Sequence, residues 1–440
     1  MTKYQALNRK MNTQLFLIMY FFIKIYEVFS YTYFYYNNFD SKPIRNTFFC
    51  IFLAILLFIN ISAYKTVGKI RYHKTSKVFA AGYSLWISWG VFTAITGLSF
   101  LGLDIIGVGW YVYDLLKIIF AVNVITVLKQ KKNFLRIVLF GMGMVIFMFF
   151  IANFDGFGFL GSITHILSKG DRYRFDYGFG HVNYSGAWCG DYFILMAIYR
   201  GELQDEHIKN VYKDKFYLCF LFLSPAVLMV LLSSATRASI TGLFLFWLTS
   251  YIEEIYDKIT RDLKIVCFLL LLFTAVIIAM NINWQFMYDL SGRASNYTYY
   301  LPLITRTNSW LTGIGMVRAG NIVDQVSSSG TALDGHYLLT LLETGVIGFC
   351  IFEGTIFYVL LSYVKKVGSM TNSQRLTAAC LVYRLWRGLF ESHMTRGYSA
   401  PEMWILIILS FNEMVSAKNS NPSFTLSKSR LKTENLLHNS

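Results

Sequence analysis

The chain has 440 residues, 55% of them hydrophobic and 15% charged, with a formal net charge of +15. So few charges among so many apolar residues exclude an ordinary soluble domain, and apolar stretches of about 17–25 residues, the length a helix needs to cross a bilayer, recur throughout. The positive charge does not indicate nucleic acid, because it lies in short loops between apolar stretches, and no period-2 alternation speaks for a β-barrel.

Taken in order, the sequence predicts about twelve membrane spans (11–13), at 15–35, 47–64, 79–100, 110–128, 135–153, 183–199, 216–232, 236–252, 265–283, 336–362, 377–393 and 400–415. The first follows a basic N-terminus with no small-residue cleavage site, so it reads as a retained span. Nine spans thus occupy 1–283, interrupted by an external loop at 154–182. A large external loop fills 284–335, three spans follow in 336–416, and 417–440 is a polar tail expected to be a disordered cytoplasmic extension. The loops 65–77, 129–136 and 200–215 carry five, four and four Lys or Arg. Together with 253–264 and 363–375 they fall on one side of the alternation, which makes that side cytoplasmic and puts both termini inside. The eleventh span holds Arg384, Arg387 and Glu391, and so reads as bundle-facing or partly re-entrant.

The six cysteines are scattered and form no CxxC pair, so neither a zinc site nor a disulfide framework is indicated. No HExxH, Walker or DxD arrangement occurs on the outer side, and no metal, ATP or other cofactor is expected. Gly178, Gly180 and Gly186 in "YGFGHVNYSG" follow no strand, which rejects a dinucleotide fingerprint. No internal repeat is visible.

Chemistry is sought among residues that resist the charge bias. Arg172 and Arg174 lie in the first external loop, Arg237 in the hairpin "LLSSATRASITG", Arg293, Arg306 and Arg318 in the large loop, and Arg396 in the last. A guanidinium is a fixed fork of donors suited to phosphate oxygens. Its plain alternative is solvation or snorkelling to anionic lipid. Arg237 is the sharpest candidate, since a charge between two apolar stretches is costly unless it is paired or used. His336 follows Asp334-Gly335 at the start of a span, on the arginine side, and an imidazole exchanges a proton near neutrality. Glu343 lies seven residues further on. His181 and Asn183, just before a span, suit either a sugar or a helix cap. Asp114 and Lys117 read as an intramembrane ion pair. Asp191, Lys24 and Glu27 each require a partner that the sequence does not name.

Four ordered segments resemble the superfamily of O-antigen polymerases and O-antigen ligases. They are "YGFGHVNYSG", "LLSSATRASITGL", "LSGRASNY…LPLITRTNSWLTGIGM" and "DGHYLLTLLETGVIGF". The match covers about residues 170–355, and the first five spans only by hydropathy. The chain departs from the family at Val182 after His181, at Thr236-Arg237-Ala238 in the hairpin, and at Tyr337 after His336. The resemblance implies an all-α, GT-C-like polytopic membrane protein that transfers glycan from undecaprenyl diphosphate on the extracytoplasmic face of the plasma membrane. It implies His336, Arg237 and Arg293 as essential. Arg172, Arg174, His181, Asn183, Arg306 and Arg318 would bind substrate, and Glu343 would orient or tune a site group. Expected partners are the lipid-linked oligosaccharide, membrane lipid, and a chain-length regulator or other polysaccharide-assembly protein. Polymerisation of repeat units is the favoured activity, ligase-type transfer to a surface acceptor its neighbour. A flippase or transporter of lipid-linked glycans, drawing on Asp114, Lys117, Asp191 and Glu343, is the alternative of another class.

Overall fold

The computed structural model describes residues 3–39, 51, 73–100, 102–128, 131–154, 174–208, 210–256, 294–315, 335–391 and 400–420. Helices dominate them: α1 (Lys3–Phe29), α2 (Tyr33–Phe39), α3 (Lys74–Thr96), α4 (Ile105–Leu128), α5 (Lys131–Ala152), α6 (Val182–Asp205), α7 (Lys215–Ser234), α8 (Arg237–Tyr256), α9 (Ala294–Arg306), α10 (His336–Val364), α11 (Asn372–Gly388) and α12 (Ala400–Ser420). Among the described residues there is no strand, only an isolated antiparallel bridge between Thr32 and Phe179. Four helices, α3, α5, α7 and α10, are long and apolar enough to cross a membrane. The chain is therefore an all-helical membrane protein in its described parts. The expected spans at 47–64 and 265–283 and the polar tail beyond 420 lie outside the described residues.

Local chemistry starts and stops these helices. Asp214 caps α7 by accepting the Tyr217 amide, and Thr371 and Gln374 form a reciprocal capping box at α11. Gly97, at φ 69°, ends α3 in the left-handed conformation. The first apolar stretch does not run to residue 35 as one helix. It ends at Phe29, and Gly180 and Tyr33 pair by backbone with Tyr31 and Gly178 to fix the turn.

The contacts between described helix ends fall into two layers. At the basic end Lys131 Nζ sits between Glu202 (2.7 Å) and Ser373 (2.8 Å). Nearby, Arg136 pairs with Asp214 and Lys132 with Glu206. Asp205 accepts the amides of Asn372 and Ser373, and His73 donates its amide to Asn412. At the opposite end Phe175 N–H donates to Ser233 O and Thr312 Oγ1 to Leu98 O. Between the layers lies an aromatic core. Tyr83 packs 4.4 Å from Trp404, and Phe352 packs 5.1 Å from Trp86. Residues 402–411 of α12 are buried on every side, which marks α12 as the central helix of the bundle.

Candidate functional site

Gly345 decides where His336 goes. Its φ of 65° and ψ of −173° belong to a region open essentially to glycine alone, and it breaks α10 into segments 336–344 and 346–364. In an unbroken helix, residues seventeen apart are separated by about 25 Å. Here His336 Nε2 lies 3.1 Å from Glu353 Oε1, so segment 336–344 folds back along the helix that follows it. The imidazole also lies 5.3 Å from the ring of Phe352, which packs on Tyr83 and Trp86 in the middle of α3. His336 is fully buried. This corrects the sequence reading in one way: the stretch 336–362 is not one straight span, although 346–364 at about 28 Å still matches the hydrocarbon core. The histidine is the first residue of α10, where the sequence places it, and is buried within the bundle.

A chain reversal inside an apolar bundle exposes backbone groups that must be satisfied by protein. The large loop and α3 supply the partners. Val346 N–H donates to Trp310 O, Ile314 N–H donates to Leu342 O, both at 2.7 Å, and Trp89 Nε1–H donates to Thr344 O at 2.9 Å. Gly313, at φ 79°, lies flat against the carbonyl of Glu343, and Gly345 lies against that of Leu311, so a Cβ on either would collide with backbone. Helix α9 seals the arrangement. Its Tyr300 and Ile304 join Ile314 and the leucines 338, 339 and 342 in a separate apolar cluster. Glu343 is buried at the break. A carboxylate that the sequence reading did not single out, Glu353, lies within hydrogen-bond distance of His336. Its signal was an acid inside an apolar run, "FCIFEGTIF", and such residues are functional candidates by default.

A second cluster occupies the mouth of α6, α7 and α8. The turn from α7 to α8 is only Ala235-Thr236, with Ala235 in the left-handed region at φ 46°. Gly186 of α6 fits directly beneath it, where a Cβ would strike the Thr236 hydroxyl. Arg174 bridges the corner, donating from Nε to Ser234 O (2.9 Å) and from Nη2 to Asn183 Oδ1 (2.6 Å). A cation on the last carbonyls of α7 stabilises that helix end. His181 Nδ1 accepts the Asn183 amide and so caps α6. Asp176 nearby is half-buried, and burial raises its carboxyl above the ordinary range despite hydrogen bonds from the Gly178 amide and Tyr33 hydroxyl. Arg237 differs from Arg174. It is exposed at the first position of α8, where the helix dipole is itself positive, and no carboxylate of a described residue pairs with it.

Helix α11 forms the wall shared by both regions. On one face Arg384 Nη2 lies 2.8 Å from Asp191, and Arg387 Nη1 lies 3.6 Å from it. Arg387 also holds Glu391. On another, Tyr383 and Trp386 meet Gly190, Gly242 and Thr241 of α6 and α8. On a third, the carbonyl of Leu385 accepts the Tyr337 hydroxyl beside His336. Helix α11 is thus bundle-facing, and Asp191 has its partner. Lys24 has two, Glu27 at 2.9 Å and Glu402 at 2.7 Å, with its ammonium 4.7 Å from the centre of the Trp188 ring.

Of the remaining candidates, Arg306 is exposed in the last turn of α9. Arg172, Arg293, Arg318 and Arg396 lie outside the described residues, as does the side chain of Lys117, while Asp114 is buried. No protein-family model matches the chain, and no curated protein matches it.

Proposed function

We propose that the protein is a polysaccharide polymerase, joining repeat units carried on undecaprenyl diphosphate at the outer face of the plasma membrane. In this reading the bundle has about twelve spans, a GT-C-like architecture, and its basic end in the cytoplasm. The observation that carries it is the His336–Glu353 pair: an imidazole positioned by a carboxylate is the arrangement of a general base. The acceptor hydroxyl attacks the anomeric carbon of the donor and gives its proton to His336. The new C–O bond forms as the bond to the diphosphate breaks, and the diphosphate leaves with the electron pair. Arg237, exposed beside the positive end of α8, supports the reading as a group that would attract and stabilise that developing charge. Arg293 would join it. The donor is already activated, so no nucleotide is required.

The test is reconstitution in liposomes with lipid-linked repeat units, followed by glycan length. The wild type should build chains and consume single units, and His336→Ala should leave them single. Unchanged chain growth by the variant would sink the proposal. Transfer of a finished chain to another acceptor, without lengthening, would identify the ligase. A second reading is favoured by the broken helix and by the buried charges around Lys24 and Asp191, which are features of transporters. A lipid-linked glycan flippase would move units between leaflets of the same liposomes without changing their length.

A further inference from the structure

The basic end of the bundle contains a cavity of about 420 Å³ between α6, α8 and α11. Arg200 of α6 and Arg375 of α11 stand in its wall with Gln204, Asn372, Trp247 and Tyr251, and no lining residue is acidic. This sets it apart from its surroundings. Lys131, Lys132 and Arg136 at the same end are each held by a carboxylate. Arg200 and Arg375 are in no ion pair among the described residues, and Arg375 donates only to the side chain of Asn372, at 2.8 Å. Asp205, the nearest acid on α6 beyond Gln204, is occupied by the amides of Asn372 and Ser373.

The position of the cavity determines what can reach it. Arg200 lies five residues before the end of α6, Arg375 in the first turn of α11, and Tyr251 five residues before the end of α8. All three are therefore at the level where a span leaves the hydrocarbon. Trp247 and Tyr251 are 53% and 62% exposed on the outer surface of the bundle, and amphipathic rings of this kind settle at the headgroup level. Two guanidinium forks beside an aromatic rim that faces the bilayer suit a phosphodiester whose acyl chains remain in the membrane. We propose that this cavity binds the headgroup of an anionic phospholipid from the leaflet at the basic end. The site is independent of the activity proposed above.

The experiment uses the full chain in an uncharged detergent and native mass spectrometry. It is titrated with phosphatidylglycerol or with phosphatidylcholine of the same acyl chains, and the bound phosphatidylglycerol is then challenged with inorganic phosphate. The wild type should retain phosphatidylglycerol in preference to phosphatidylcholine, and phosphate should not displace it. Arg200→Ala with Arg375→Ala should weaken retention about thirtyfold, near fivefold for each guanidinium. Lys213→Ala with Lys215→Ala, on the same end but outside the cavity, should change it little. Arg200→Lys with Arg375→Lys preserves charge and bulk and serves if the alanine pair does not fold. It should bind measurably more weakly than the wild type, because a lysine lacks the fork. Equal retention of the two lipids, or wild-type affinity in whichever arginine pair folds, overturns the proposal. An equal loss in the lysine control overturns it by showing diffuse surface charge, and displacement by inorganic phosphate by showing a free-anion site.

Discussion

The imidazole of His336 and the carboxylate of Glu353 meet across a reversal of the chain, 3.1 Å apart although seventeen residues separate them. If the imidazole takes the proton and the carboxylate positions it, the two act as one unit. His336→Ala should lower the rate of chain growth by about 10²–10⁴-fold, the usual contribution of a positioned base. Glu353→Gln keeps the size and should lose less. The double variant should be no worse than His336→Ala alone, because residues that act together are not additive. Single-turnover consumption of lipid-linked units is the measurement. A double variant slower by the product of the two single losses would show that the residues act separately.

The reversal itself depends on Gly345. Gly345→Ala places a Cβ into the Leu311 carbonyl and a non-glycine residue into a glycine-only backbone region. A loss of about 2 kcal/mol or more is expected, with a lower melting temperature. Gly354, further along the same helix, has open space where its Cβ would be. Gly354→Ala should therefore leave the melting temperature unchanged or slightly raised.

Lys24 joins the first helix to the last through Glu402 and is fully buried. Lys24→Met leaves two carboxylates in the bundle without their cation and should cost about 3–5 kcal/mol. Adding Glu27→Gln and Glu402→Gln removes the stranded charge and should recover most of that loss. Thermal melting of the single and triple variants in the same detergent distinguishes the two. A triple variant as unstable as the single one would point to lost packing rather than lost charge balance.

His73 caps α3 by accepting the Thr75 amide at Nδ1, and its other nitrogen is 3.0 Å from Lys366 Nζ. Partial burial, and then the Lys366 cation, lower its pKa from the ordinary histidine range. The neutral ring is thus favoured in the folded chain. Its contribution to stability is complete above the unfolded value near 6.5 and is lost as pH falls from there through the lower folded value. The melting temperature should drop between pH 7 and pH 5. His73→Asn keeps a capping acceptor without titrating there, and should flatten that part of the profile.

Helix type and approximate position were legible wherever an apolar stretch was long and uninterrupted, because length and hydropathy alone demand a helix in a bilayer. The partnering of Asp191 by Arg384 and Arg387 was half legible. Each charge was visibly out of place, but only the bundle's packing brings α6 against α11. The reversal at Gly345 was not legible. Glycine is common in membrane helices, and the break in "ETGVIGF" is held by contacts from Trp89, Trp310 and Ile314, the last two from a loop about thirty positions earlier. His181 and Asn183 were legible as a pair at a helix start, and His181 does cap α6.

The guanidiniums of Arg384 and Arg387 carry a consequence for how the chain is made. A charge on a lone helix opposes partition into lipid, by about 2.5–3.5 kcal/mol at the helix centre and by less toward its ends, and α11 carries two in its last two turns. Asp191, emerging some two hundred residues earlier on α6, supplies the neutralising carboxylate. The buried place of α11 therefore depends on α6 already standing beside it, because Asp191 is the carboxylate that both guanidiniums share.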